Sequence, residues 1–163
     1  MPQYLVKPVN RIYAGGGDGE TIQMEVGANA TAAKMLPGRW VVYDATDGAV
    51  KEAGAKAQDV MGIIEVDPGK KLTDNYAVGD PIRIIPLKSG TRVMCTLVSG
   101  GGAVGMGDSI VTAADGKSNK IAVGALGTQG TIVGKVLLAE DPAAADKTCL
   151  VEMVGGKEAA AAA

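Results

Sequence analysis

The fold is decided by one strand and the turn that ends it, which read Arg39-Trp40-Val41-Val42-Tyr43-Asp44-Ala45-Thr46-Asp47-Gly48. β-Branched and aromatic residues favour extended backbone because they pack well on a pleated surface. Asp-Gly is a strong signal for a tight turn between antiparallel strands. The stretch therefore predicts a strand over residues 39–43 and a hairpin turn after it.

The same pattern recurs later in the chain. The first copy continues to Val60-Met61-Gly62-Ile63-Ile64. The second copy runs through Gly107-Asp108-Ser109-Ile110-Val111, Asp115-Gly116 and Ile132-Val133-Gly134-Lys135-Val136. Both read glycine, strand, Asp-Gly turn, loop and an apolar strand centred on glycine, where a bulge or tight bend is expected. The repeat predicts a structural duplication.

The remaining chain alternates between turn residues and short apolar runs. Strands are predicted at 20–26, 60–66, 81–87, 91–98, 109–112, 131–139 and 149–154. One short helix is a candidate at 53–58. There are 24 glycines and no Phe in 163 residues, and small or β-branched residues carry the apolar content. This composition favours an all-β fold, a compact β-barrel or sandwich, over a helical bundle.

Three parts are expected along the chain. Residues 1–34 form an extended N-terminal arm and a first strand, with a flexible tract at Gly15-Gly16-Gly17-Asp18-Gly19. Residues 35–155 form the β-barrel domain. Residues 156–163 are a disordered or short Ala-rich tail, because so short a helix is unstable alone.

Charge and cysteine usage limit the partners. The net charge is −2 without a basic stripe, so a nucleic-acid partner is not expected. No apolar run reaches the roughly 20 residues of a membrane helix. The start of the chain lacks the pattern of a signal peptide, so synthesis in a cytoplasm is expected. Cys95 and Cys149 lie in apolar runs, which favours buried free thiols over a disulfide.

Residues for catalysis are scarce. The chain has no His, which removes Ser-His and Cys-His pairs and His metal ligation. A Ser-Lys dyad would need one of several serines in turn-like contexts, namely Ser89, Ser99, Ser109 and Ser118. Gly100, Gly102 and Gly105 match a dinucleotide fingerprint, but a strand follows where a helix is required. We therefore expect a non-enzyme with no catalytic residues, no cofactor and no metal.

Two further sets of charged residues have simple interpretations. Carboxylates at strand ends beside prolines are expected to cap turns on the surface, namely Glu65, Asp67, Glu140 and Asp141. A lysine at a hairpin tip would suit a barrel-sandwich binding or carrier module of the lipoyl-like kind. Lys88 and Lys117 are candidates for that alternative function, although no flanking pattern supports either.

Five motifs follow one another in a characteristic order: Pro37-Gly38-Arg39-Trp40-Val41-Val42, Asp59-Val60-Met61-Gly62-Ile63-Ile64, Ala77-Val78-Gly79-Asp80-Pro81-Ile82, Gly107-Asp108-Ser109-Ile110-Val111 and Ile132-Val133-Gly134-Lys135-Val136-Leu137. With the terminal strand 149–154, this order resembles the capsid decoration, or cement, proteins of tailed viruses such as bacteriophages. The resemblance covers residues 36–154. A longer N-terminal arm and a wider loop at 67–76 depart from the family pattern.

The resemblance implies a compact β-barrel or β-tulip-like domain on the outer surface of a virion. Such proteins commonly sit as homotrimers at three-fold or quasi-three-fold positions and clamp neighbouring major capsid subunits, which stabilises the shell. An arm of ten residues spans at most about 35 Å, enough to cross a subunit boundary. Added to a neighbour's sheet edge, its strand would bind by β-augmentation.

The residues expected to contact the capsid partner lie on the arm and at the first strand of the repeat. They are Tyr4, Leu5, Lys7, Arg11, Tyr13, Arg39 and Trp40. Trp40 has a second interpretation of equal weight, because a single large aromatic can anchor an interface or fill a core.

Overall fold

The computed structural model describes residues 7–121 and 131–154, and within them the protein is all-β, with no α-helix. The strands are β1 Tyr13–Gly15, β2 Ile22–Glu25, β3 Trp40–Asp44, β4 Ala49–Glu52, β5 Val60–Ile64, β6 Pro81–Pro86, β7 Arg92–Leu97, β8 Ser109–Thr112, β9 Ser118–Lys120, β10 Gly134–Val136 and β11 Lys147–Met153. Single 3-10 turns lie at Ala32–Lys34 and Ala114–Gly116. The all-β prediction is confirmed. The helix candidate at 53–58 is wrong, because these residues form a loop, and the predicted tail lies outside the described residues.

The second half of the chain closes into a five-stranded barrel, which we call barrel B. Its strands follow the order β7-β11-β10-β8-β9, and a parallel contact between Leu97 and Ser118 joins the two ends. The other pairs are antiparallel. Strand β1 is added to β7 from outside the ring.

The first half forms an antiparallel sheet, sheet A, in the order β2-β6-β5-β3-β4. An isolated parallel bridge between Val26 and Val50 brings its two ends together. Both sets therefore have the same topology. When the five strands of a set are numbered in chain order, they lie side by side in the order first, fifth, fourth, second, third. In each set a parallel contact joins the first strand to the third.

Hydrogen bonds in the loops also recur at equivalent positions of the two halves. Gly27 N–H donates to Val50 O at 2.9 Å, and Val98 N–H donates to Ser118 O at 3.0 Å. Gly38 N–H donates to Ile64 O, and Gly107 N–H donates to Val136 O in the matching place. The predicted duplication is confirmed, because its two copies occupy equivalent strands and equivalent turns.

Two apolar clusters form the core, and the second of them joins the two halves. One fills sheet A with Val26, Met35, Val41, Val50, Ile64, Tyr76, Ile82 and Ile84. The other fills barrel B and extends to the outer side of β3, β5 and β6, where Trp40, Ile63 and Ile85 contribute. Alternate residues of these three strands face opposite sides, so each side of the sheet is buried against apolar partners.

Trp40 joins the two halves. Its side chain is fully buried, and the indole Nε1–H donates to Ser118 Oγ at 2.7 Å. A buried indole needs such an acceptor, since an unsatisfied N–H in a core costs about 1–3 kcal/mol. The burial of Trp40 supports the interpretation that it fills a core.

Candidate partner-binding surface

The N-terminal segment, residues 7–15, lies on barrel B. Tyr13 pairs with Val93, and Met94 N–H donates to Ile12 O at 2.9 Å. The Ile12 side chain is 2% exposed and joins the apolar cluster of the barrel. The segment therefore holds to the body by both backbone pairing and apolar burial.

A buried carboxylate adds a second attachment. Glu65, 4% exposed, follows β5 and receives three backbone donors. Ile12 N–H donates to its Oε1 at 2.7 Å, Tyr13 N–H donates to its Oε2 at 2.8 Å, and Val66 N–H donates to its Oε1 at 2.7 Å. Glu65 was expected on the surface, and this was wrong. The rest of the chain supplies the donors that make its burial possible.

The start of the segment reaches a different loop. Lys7 Nζ forms an ion pair with Glu140, whose backbone pairs with Val104 in both directions at 2.9 and 3.1 Å. Val9, which is 91% exposed, lies two residues after Lys7. Met106, which is 76% exposed, lies two residues after Val104. These are the most exposed large apolar side chains of the described residues. Each lies two residues along the chain from a residue of this contact, so the two side chains belong to the segments that meet there.

A glycine-rich turn follows the segment. Gly16 and Gly17 have φ values of 70° and 58°, which a side chain would resist. A Cβ on Gly16 would overlap Gly90 O. Lys88 holds the far side of the turn through Asp18 at 3.3 Å and Glu20 at 3.4 Å. The tract expected to be flexible is therefore packed against the β6–β7 connection.

The structure places the predicted contact residues in two locations. Lys7 and Arg11 are exposed on the N-terminal segment, with half-buried Tyr13 beside them, and the Arg11 guanidinium lies 6.0 Å from the Tyr13 ring centre. Arg39 and Trp40 lie at the junction of the two halves. Tyr4 and Leu5 lie outside the described residues.

Charges line the junction near Arg39. Arg39 Nη1 donates to Asp115 O at 3.2 Å, and Lys34 Nζ lies 2.6 Å from Asp115 Oδ1. Partial burial lowers the pKa of Arg39, and the Lys34 ammonium lowers the pKa of Asp115. These residues fasten the β8–β9 turn onto sheet A.

Few groups suited to chemistry converge in the described part of the chain. Residues 7–121 and 131–154 contain no group of three or more His, Cys, Asp or Glu side chains placed to hold a metal ion. Cys95 and Cys149 are buried free thiols, as predicted. Lys88 pairs with Asp18 and Glu20, and Lys117 Nζ lies 2.9 Å from Asp146. Within the same ranges, no helix has the length and apolar character of a membrane span.

The site residues that the sequence did not reveal are Glu65, Glu140 and Met106. Glu65 and Glu140 are ordinary strand-end carboxylates in the sequence, and only the arrival of a distant segment gives them a partner. Met106 has one available signal. It is a large apolar residue between two glycines, at 105 and 107, where a turn would expose it.

The likeness of this chain to known proteins is structural. No protein-family model matches the chain, and no curated protein matches it in sequence. Among solved structures it is similar to the N base of the head fiber protein gp8.5 of bacteriophage phi29, with a TM-score of 0.52 at 13% identity. The match covers 85% of this chain and 98% of that one. At this identity the two chains share a fold.

Proposed function

We propose that the chain is a structural virion protein that binds the outer surface of a viral capsid. The observation that carries the proposal is the shared fold with the phi29 head fiber base, which extends over 98% of that base. The strand motifs of residues 36–154 support the same class of protein through their resemblance to capsid decoration proteins.

We further propose that the protein clamps neighbouring major capsid subunits and so stabilises the shell, as a non-enzymatic homotrimer at three-fold or quasi-three-fold positions. Many copies on one shell act together, so a modest contact per copy is sufficient. Packing of the glycine turn against Gly90 supports a preformed contact surface, which loses less conformational entropy on binding.

The contact surface in this proposal is the N-terminal segment, which includes the exposed Val9, together with the exposed Met106. Lys7, Arg11 and Tyr13 are its polar and aromatic members, and Tyr4 and Leu5 precede them in the chain. Exposed apolar side chains rimmed by charge are typical of protein contact sites. Arg39 and Trp40 contribute by holding the halves together, since Trp40 is fully buried.

Co-sedimentation with particles of the encoding virus that lack this protein tests the proposal. We expect the wild-type chain to pellet in a constant ratio to the main shell protein and to raise the temperature at which shells open. The double variant Val9→Asp, Met106→Asp should lose most of this binding. Val78→Asp is the matched control, because Val78 is 50% exposed in a different turn.

Two outcomes would contradict it. If the wild-type chain stayed in the supernatant at saturating concentration, the capsid partner would be wrong. If the double variant bound like Val78→Asp while the wild type pelleted, the capsid partner would stand and the assigned surface would be wrong.

A further inference from the structure

The duplication allows sheet A and barrel B to be compared strand by strand. Strand β2 corresponds to β7, because each is the first strand of its set and each pairs with the fifth. Val26 makes the parallel closing contact in sheet A and Leu97 makes it in barrel B, so these two residues occupy equivalent positions. Counting back along both strands then matches Ile22 with Val93 and Gln23 with Met94.

In barrel B the outer edge of β7 is occupied. Met94 N–H donates to Ile12 O, and two residues further Thr96 N–H donates to Gly38 O at 3.0 Å. Strand β1 runs antiparallel there and covers the start of β7. The edge therefore accepts an extended segment that brings an apolar side chain, Ile12, into the barrel.

The matching edge of β2 lacks this cover. Val26 N–H donates to Asp80 O on the β6 side, so the alternation of a strand directs the N–H groups of Gln23 and Glu25 to the other side. Within residues 7–121 and 131–154, no strand pairs with that side of β2 before Val26. An uncovered strand edge is a template for pairing with another chain.

Burial shows the same difference. Val93 is fully buried beneath the edge that β1 covers, whereas its counterpart Ile22 is 36% exposed. Cys95 is fully buried, whereas its counterpart Met24 is only half-buried. A segment docked on β2 would cover apolar surface whose counterpart in barrel B is already covered.

The charge near β2 indicates the occupant. Asp18, Glu20 and Glu25 are exposed along the strand and its approach, and Lys88 pairs with the first two. Arg83 lies opposite Gln23 on β6 but pairs with Asp67 at 3.1 Å, so three carboxylates remain against one ammonium, which favours a basic segment. The segment on the equivalent edge has this chemistry, because basic Arg11 precedes apolar Ile12.

We propose that the outer edge of β2 is a docking site for an extended segment of a partner protein, paired antiparallel with β2 and carrying an apolar side chain next to a basic one. Backbone bonds to Gln23 and Glu25 supply affinity, and contacts with Ile22 and the carboxylates supply selectivity. The site holds for any partner of this chemistry and does not depend on the proposed capsid contact.

A synthetic peptide with the sequence of residues 7–15 is the probe, because it has the required chemistry. We expect it to shift the amide NMR signals of Gln23 and Glu25 in the wild-type protein and to slow their hydrogen exchange. A peptide with Glu in place of Lys7 and Arg11 should bind at least tenfold more weakly.

Two variants localise the binding. Gln23→Pro removes an outward N–H without removing a bond to β6, and Ile22→Asp adds a charge at the apolar contact. Both should weaken peptide binding at least tenfold while the spectrum elsewhere stays folded. Failure of one variant to fold leaves the other as the test.

Three results would overturn the proposal. One is the absence of any shift at Gln23 and Glu25 at millimolar peptide. Another is shifts at Met94 that persist in Gln23→Pro, since the peptide would then be displacing β1 from β7. The third is self-association of the wild type with a monomeric Gln23→Pro variant, which would assign the edge to a second copy of the chain.

Discussion

Glu65 holds Ile12 to the end of β5, through a 2.7 Å hydrogen bond from the Ile12 N–H to the Glu65 carboxylate. The two residues are 53 positions apart in the chain. The bond fastens the N-terminal segment to sheet A, while Ile12 itself packs into barrel B. One buried carboxylate thus secures the segment that carries most of the proposed contact residues.

Glu65→Gln should lower the free energy of unfolding by about 2 kcal/mol. Hydrogen bonds to a charged acceptor are worth about 1.5–3 kcal/mol, and a glutamine would turn its NH₂ group toward a backbone N–H. Urea denaturation measures the change, and hydrogen exchange at Ile12 should accelerate. Glu25→Gln, at an exposed carboxylate, is the control, with an expected change within about 0.5 kcal/mol. Equal stability of the two variants would refute the role of Glu65.

Gly62→Ala should destabilise the protein by about 2–3 kcal/mol, or prevent folding. A Cβ at this position would overlap the carbonyl oxygen of Ile85 on the neighbouring strand. Its counterpart Gly134 has more room, because its nearest contact would be Glu152 O at 3.1 Å, so Gly134→Ala should cost less. Gly54→Ala is the control, with no atom within 4 Å of the added carbon. Thermal unfolding ranks the three, and the order Gly62, Gly134, Gly54 is required.

Asp44→Asn should make the free energy of unfolding fall less steeply as the pH is lowered. The Asn29 side chain, the Thr46 backbone N–H and the Lys51 ammonium hold the pKa of the Asp44 carboxyl well below its usual range. Because the folded pKa is depressed, its contribution is complete above the unfolded pKa of about 3.9 and is lost as pH falls further. Unfolding free energies measured from pH 6 to pH 2 check this. A slope below pH 4 as steep as that of the wild type would contradict it.

Cys95 and Cys149 face each other across β7 and β11, and both should resist thiol reagents in the folded state. Burial raises the pKa of Cys149 to about 11, and it raises the pKa of Cys95 still further. Almost no thiolate is present at pH 8, and thiolate is the reactive form. We expect no reaction with a disulfide reagent until urea unfolds the chain, and then two equivalents. Rapid reaction of one equivalent in native buffer would show an exposed thiol.

Most strands and the repeat could be predicted from local sequence, because side-chain alternation and turn residues act over a few positions. Strands β1, β4 and β9 were not predicted, because each is only three or four residues long. Asp47-Gly48 and Asp115-Gly116 do mark equivalent turns between strands. Glu65 could not be placed, because its neighbours in the chain do not show that the N–H groups of Ile12 and Tyr13 will reach it. The place of Val9 and Met106 beside the Lys7–Glu140 contact escaped prediction for the same reason, since these segments meet only in the folded chain.

The sequence by itself determined an all-β chain with two copies of one strand pattern and two buried thiols. Only the tertiary structure decided how those copies close, through Leu97 with Ser118 in one and Val26 with Val50 in the other. It also decided that β1 covers β7 while β2 keeps an uncovered edge among the described residues. The physical reason is that alternation specifies which side of a strand is apolar. The neighbour across each edge depends on twist, closure and the arrival of distant segments.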